Sequence, residues 1–174
     1  MVSMPILKSM PLQLHIGKWG RLPRFEDLYI DYMEGLNYGR RWKPNAGFWT
    51  STFNKNSPDK SDWVRWVKSE MPSWLGPAYL VYPERNLQVL SIEQVKDLKF
   101  MINEGLAFYN AKKFDKPFIN FTRNYEFDWN KIAYNYDGFH VSSRMIYYMI
   151  DFDVESTVWF KKKFKKMVKY TGSL

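Results

Sequence analysis

Ser156, Thr157, Val158, Trp159 and Phe160 follow one another without interruption, and a run of small, β-branched and aromatic residues folds most readily as a buried strand. The run constrains the chain because two carboxylates, Asp153 and Glu155, stand immediately before it. Side chains on an extended backbone alternate with a period of two, so Asp153 and Glu155 are expected on one side, at the mouth of the strand. That is a common way to present a catalytic carboxylate. The same pair also reads as part of an ordinary loop.

Several other short runs resemble strands. Residues 12–16 alternate apolar with polar and end at Gly17 and Gly20, which places His15 opposite Leu14 and Ile16. Residues 47–53 carry Thr50, Ser51 and Thr52 between aromatics, residues 77–82 and 87–90 flank a turn, and residues 136–141 turn into a strand at Gly138. The run 117–121 reads as loop or strand.

Amphipathic helices are expected between these runs. One opens at Pro23, buries Phe25, Leu28, Tyr29, Tyr32, Met33 and Leu36, and stops at Asn37 and Gly39. Ser61 caps another, with Trp63, Trp66 and Val67 on one face; these read as core, or as rings that stack a base beside Arg65 and Lys68. Ser91 and Gln94 form a capping box for a third, with Ile92, Val95, Leu98, Met101 and Ile102 on its apolar face and Gly105 at its end. Asp128 caps a short fourth. Phe160, Phe164, Met167 and Val168 keep a helical stripe among six lysines, predicting a C-terminal strand that passes into a helix. Residues 142–153 form a long connection of the kind that carries function.

Short strands alternating with amphipathic helices over 174 residues predict one α+β domain with small mixed or antiparallel sheets, flanking helices and a basic C-terminal segment. Twenty-six Lys and Arg against 18 Asp and Glu give a net charge of +8, which favours anionic partners. The absence of cysteine removes disulfides, thiolate nucleophiles and cysteine-based zinc sites. Without a signal-peptide layout or an apolar run of about 20 residues, no membrane partner is expected and the location is read as cytoplasmic. No dinucleotide-binding glycine motif, P-loop or nucleophile elbow occurs, and neither His15 nor His140 belongs to a metal-binding motif, so no metal is expected. His15 alone reads equally well as a structural imidazole. What remains is His15, the hydroxyl run at 50–52, and the Asp153/Glu155 pair.

In that order the three elements resemble the mono-ADP-ribosyltransferase fold family. Leu14-His-Ile-Gly17 is similar to its histidine-type first motif, with Ile16 intervening where the family often has glycine. Phe48-Trp-Thr-Ser-Thr52 resembles its Ser-Thr-Ser motif, and Asp153-Val-Glu155 its third motif, a Glu or Gln, one residue, then Glu. The resemblance implies NAD as co-substrate, with Glu155 stabilising the positive charge that develops on ribose as nicotinamide leaves. It further implies that His15 bonds the adenosine-side ribose and that Gly17 offers backbone groups to the nicotinamide amide. Ser51, with Thr50 and Thr52, would orient Glu155, and Asp153 would position or activate the acceptor.

The implied activity is transfer of ADP-ribose to a protein or nucleic acid, by a phage or bacterial effector acting in the cytoplasm, that of the host for a phage. Two alternatives use the same residues or charges: an NAD glycohydrolase, and a non-enzymatic basic module of inhibitor type that binds nucleic acid or protein.

Overall fold

The computed structural model describes residues 4–17, 44, 47–109, 125–149 and 152–174. The helix expected over 25–36 with its stop, the turn glycine Gly20 and the run 117–121 lie outside them. The strands are β1 (Ile6–Leu7), β2 (Gln13–Ile16), β3 (Phe48–Thr52), β4 (Ala78–Pro83), β5 (Val89–Ile92), β6 (Ala107–Tyr109), β7 (Tyr125–Phe127), β8 (Gly138–Val141), β9 (Ser156–Trp159) and β10 (Phe164–Lys169). The helices are α1 (Asp62–Glu70), α2 (Val95–Asn103) and α3 (Trp129–Asn135).

Eight strands make one mixed sheet in the order β1-β5-β8-β9-β3-β2-β4-β10, and β6 pairs with β7 separately. Within the large sheet β5 and β8 run parallel, and every other pair is antiparallel. A parallel pair needs a long crossover. Here the connection from β5 to β8 includes α2, β6, β7 and α3. The architecture is α+β, as the sequence predicts, but in place of small sheets most of the strands join one large mixed sheet.

Strand β3 joins the two halves of the sheet. Phe48, Trp49 and Thr50 pair with β9, whereas Ser51 and Thr52 pair with β2. The hydroxyl run therefore lies where β9 gives way to β2. Entry into β3 demands Gly47, whose φ is +116° and where a Cβ would collide with Val158 Cγ2. No L side chain fits that approach.

On one side of this junction, Leu90, Phe139 and Val158 pack against Leu98 and Met101 of α2 and Trp129 and Ile132 of α3. Trp129 meets Phe139 edge-on at 5.1 Å, a preferred aromatic geometry. On the other side, Val64 and Val67 of α1 pack on Leu14, Ile16, Phe53 and Ala78.

The helix starts and the C-terminus differ from the sequence expectation. Ser91 and Ile92 remain in β5, held by pairing with His140 and Val141 of β8, so the capping box shifts to Gln94 and Asp97. Asp97 accepts the backbone N–H of Glu93 at 2.9 Å and of Gln94 at 3.0 Å. Ser61 occupies the N-cap of α1, but its hydroxyl accepts from Asn54 N–H at 2.9 Å instead of capping. Asp128 caps α3 through Lys131 N–H at 3.0 Å.

The lysine-rich C-terminus is a strand, β10, and not a helix, because β4 offers it a full set of backbone partners from Tyr79 to Pro83. A register irregularity between Phe164 and Lys166 lets Phe164 and Met167, three residues apart, both pack with Val81. That odd spacing is what imitates a helical stripe.

Candidate functional site

Glu155 is 6% exposed, and a carboxylate in such a place needs donors aimed at it. Ser51 Oγ donates to its Oε2 at 2.5 Å, Thr52 N–H to the same oxygen at 2.9 Å, and Thr52 Oγ1 to Oε1 at 3.0 Å. A carboxylate has about four acceptor positions, so one remains, on Oε1. That oxygen is 3.5 Å from His140 Nδ1.

His140 also contacts Thr157 Oγ1 at 2.9 Å through Nδ1, and its Nε2 is 3.6 Å from Glu93 Oε1. Ser91 Oγ donates to the same Glu93 oxygen at 2.6 Å. Burial holds His140 below the usual imidazole range, against the opposing pull of Glu155 and Glu93. The parallel pairing of β5 with β8 brings Ser91 opposite His140. A chain of side chains thus leads from half-exposed Glu93 to buried Glu155.

A cavity of about 430 Å³ lies beside this cluster. Trp49, Trp63, Trp66, Trp74 and Phe152 form its aromatic walls; His15, Asp153, Val154 and Ser156 also line it, with Ile16 and Pro44. Glu155 itself is absent from the surface of the cavity and sits in its wall between Val154 and Ser156. Trp63 Nε1 donates to Ser156 Oγ at 3.2 Å, which donates to Val154 C=O at 2.9 Å, so the wall next to Glu155 is fixed.

His15 packs against Phe48 with ring centroids 4.6 Å apart and planes tilted by 40°, and its Nδ1 is 2.9 Å from the Trp49 carbonyl. A carbonyl only accepts, so Nδ1 carries the proton. Burial holds His15 below the usual imidazole range, the Trp49 bond opposing. In the neutral ring Nε2 is therefore an acceptor, and among the described residues it has no hydrogen-bond partner.

The structure brings His15, Ser51, Thr52, Asp153 and Glu155 to one place but divides them between cavity and wall. The expectation that Asp153 and Glu155 share a side of an extended backbone is corrected. Val154 and Glu155 form a bend and β9 begins at Ser156, so the period of two does not reach back; Asp153 is exposed at the cavity and Glu155 is buried. Thr50 ties strands together, donating to Gln13 Oε1 at 2.8 Å and accepting from Trp159 Nε1 at 2.8 Å. Gly17 N–H is engaged with Pro77 C=O at 3.2 Å.

Trp49, Trp74, His140 and Glu93 are not singled out as site residues by the sequence, which offers only Trp63 and Trp66 as rings that could stack a ligand base. One signal existed: α1 has tryptophan on its inner face where a closed core would take Leu or Val, and an indole suits a wall that is half open. Among the described residues no group of His, Asp and Glu is arranged to hold a metal ion, and no helix is long and apolar enough to cross a membrane. No protein-family model, curated protein or solved structure matches the chain.

Proposed function

We propose that the protein consumes NAD and transfers its ADP-ribose to a macromolecule, on an ADP-ribosyltransferase-like fold. The observation that carries this reading is the bond from Ser51 Oγ to Glu155 Oε2 at 2.5 Å, between residues 104 apart in sequence, beside a cavity that also holds His15. These are the three elements whose order in the chain suggests the family.

The cavity suits the nicotinamide riboside half of NAD. Its volume falls in the range of small-molecule sites, roughly 300–1,000 Å³. The nicotinamide ring is a cation, and indole faces attract cations within about 6 Å of the ring centroid. Asp153, at the same surface, adds a negative charge. His15 Nε2 accepts a ribose hydroxyl.

Bond cleavage moves the positive charge from the nicotinamide ring to the ribose. The C1′–N bond breaks with its electron pair going to nicotinamide, which leaves neutral and is then held less strongly by the tryptophans. Glu155 stabilises the charge that appears on the sugar through the low-dielectric wall that separates them. Its donors hold the carboxylate in place beforehand, so little reorganisation is needed at the moment of reaction. A nucleophilic N or O of the acceptor bonds to C1′, and its proton passes to Asp153 and then to water.

The test is incubation of the purified protein with NAD labelled in its adenylate half, with and without cell extract, following released nicotinamide and macromolecule-bound label. The expected result is nicotinamide release with label retained on a macromolecule. Label recovered only as free ADP-ribose would make water the acceptor, and no nicotinamide release would overturn the reading.

A further inference from the structure

The cavity has no positive charge to offer an anion. Of its described lining residues only Asp153 carries a formal charge, which is negative, and burial keeps the His15 ring below the usual imidazole range and so neutral. NAD is not a uniform ligand for such a space. Its nicotinamide ring is a cation, whereas its pyrophosphate carries a negative charge on each phosphate, so indole walls and one carboxylate favour the first and disfavour the second. The pyrophosphate needs a cation just outside the cavity.

A second hollow, of about 350 Å³, adjoins the first, and Trp66 and Val154 line both. Its other lining residues are Asp62, Arg65 and Ser69. With Trp66 they follow at i, i+3, i+4 and i+7 along α1, which makes them one stripe of the helix beside the face that Trp63 and Trp66 turn to the cavity. Arg65 is the cation of this stripe. It is exposed, and among the described residues its guanidinium has no carboxylate partner. The neighbouring polar groups are engaged elsewhere: Asp62 Oδ2 accepts from Ser143 Oγ at 3.1 Å, and Ser69 Oγ donates to Trp66 C=O at 3.2 Å. Asp62 opposes an anion here, but only across solvent, where it is screened, whereas a guanidinium holds a phosphate through two N–H donors at contact distance.

We infer that Arg65 anchors the pyrophosphate of NAD, which passes from the cavity across Trp66 and Val154 into the second hollow. The inference rests on the NAD-dependent reading above. Val154 immediately precedes Glu155, so a dinucleotide crossing at Val154 keeps its nicotinamide-side ribose beside the wall that contains the carboxylate. Arg65 then supplies affinity for NAD over its phosphate-free fragment.

The test is isothermal titration calorimetry of the Glu155→Gln protein, in which turnover is blocked, with NAD and with nicotinamide riboside, which keeps the cationic ring and the ribose but has no phosphate. Arg65 is exposed within a helix, where alanine is well tolerated, and circular dichroism verifies the fold of each variant. Adding Arg65→Ala is expected to weaken NAD about 10-fold and to leave nicotinamide riboside within about 2-fold, as the loss of one charge-assisted contact to phosphate requires. Adding Arg65→Lys instead, which keeps the charge without the planar fork, is expected to give an intermediate NAD affinity. Unchanged NAD affinity in the alanine variant, an equal loss for both ligands, or binding of the riboside without binding of NAD by the parent protein would each overturn the inference and leave the cavity reading in place. Binding of neither ligand by the parent protein would overturn both.

Discussion

The backbone from Asp153 to Ser156 separates two regions of opposite character. Behind it, Glu155 is buried among Ser51, Thr52 and His140 with nearly all of its acceptor capacity engaged. In front of it, the cavity is walled by indole rings, with Asp153 exposed at its surface and a His15 nitrogen that has no hydrogen-bond partner among the described residues. The contrast suggests a division of labour. On the proposed NAD-dependent reading, a rigid, pre-oriented carboxylate would act on charge that develops during reaction, whereas open aromatic walls would act on the charge that a ligand brings with it. The first should govern turnover and the second binding.

The sharpest way to separate the two regions is Glu155→Gln. The amide keeps the shape and can still accept from Ser51 and Thr52 but carries no charge. Nicotinamide release at saturating NAD should fall by about 100-fold or more, on the scale of lost electrostatic stabilisation, with KM little changed. A fall in affinity instead of turnover would break the division. Ser51→Ala removes one donor from the cluster and should lower kcat about 10-fold and stability by about 1–2 kcal/mol, as read by steady-state kinetics and urea unfolding. On the other side of the wall, Trp66→Ala should raise KM about 5- to 10-fold with kcat held, in line with a cation–π contribution of about 1 kcal/mol. Asp153→Asn should affect nicotinamide release least and chiefly reduce the fraction of label on the acceptor.

Acid titration examines one histidine from each side. His15 and His140 are held below their ordinary value by burial, so the unfolded chain takes up their protons first as pH falls through about 6.5. Below that pH the unfolded state binds more protons, and these two residues make stability decline until each protonates in the folded state. A thermal melting temperature that falls from pH 7 to pH 5, with a shallower fall in His140→Gln, is the expected result.

Much of the fold was legible in local pattern. The runs around residues 12–16, 47–53, 77–82, 136–141 and 156–160 contain β2, β3, β4, β8 and β9, because β-branched and aromatic residues bounded by Gly or Pro have few other uses. What failed depends on distant partners. The start of α2 moved because β8 extends β5 through Ile92, and residues 164–169 became a strand because β4 presents an open edge. In the site, the hydroxyl run and Glu155 were both visible, and their contact follows from β3 leaving β9 for β2 at Ser51. The Glu93–His140 approach had no sequence signal, since it arises from a parallel pairing across a long crossover. Asp153 and Glu155 diverged because a bend, which their spacing does not encode, precedes β9.

The most direct measurement is titration of the Glu155→Gln protein with NAD, followed by tryptophan fluorescence, since four indoles line the cavity and the substitution prevents turnover. The account predicts a saturable change with an affinity close to the wild-type KM, and its weakening in the Glu155→Gln/Trp66→Ala double variant. A fluorescence signal indifferent to NAD up to millimolar concentration would contradict it.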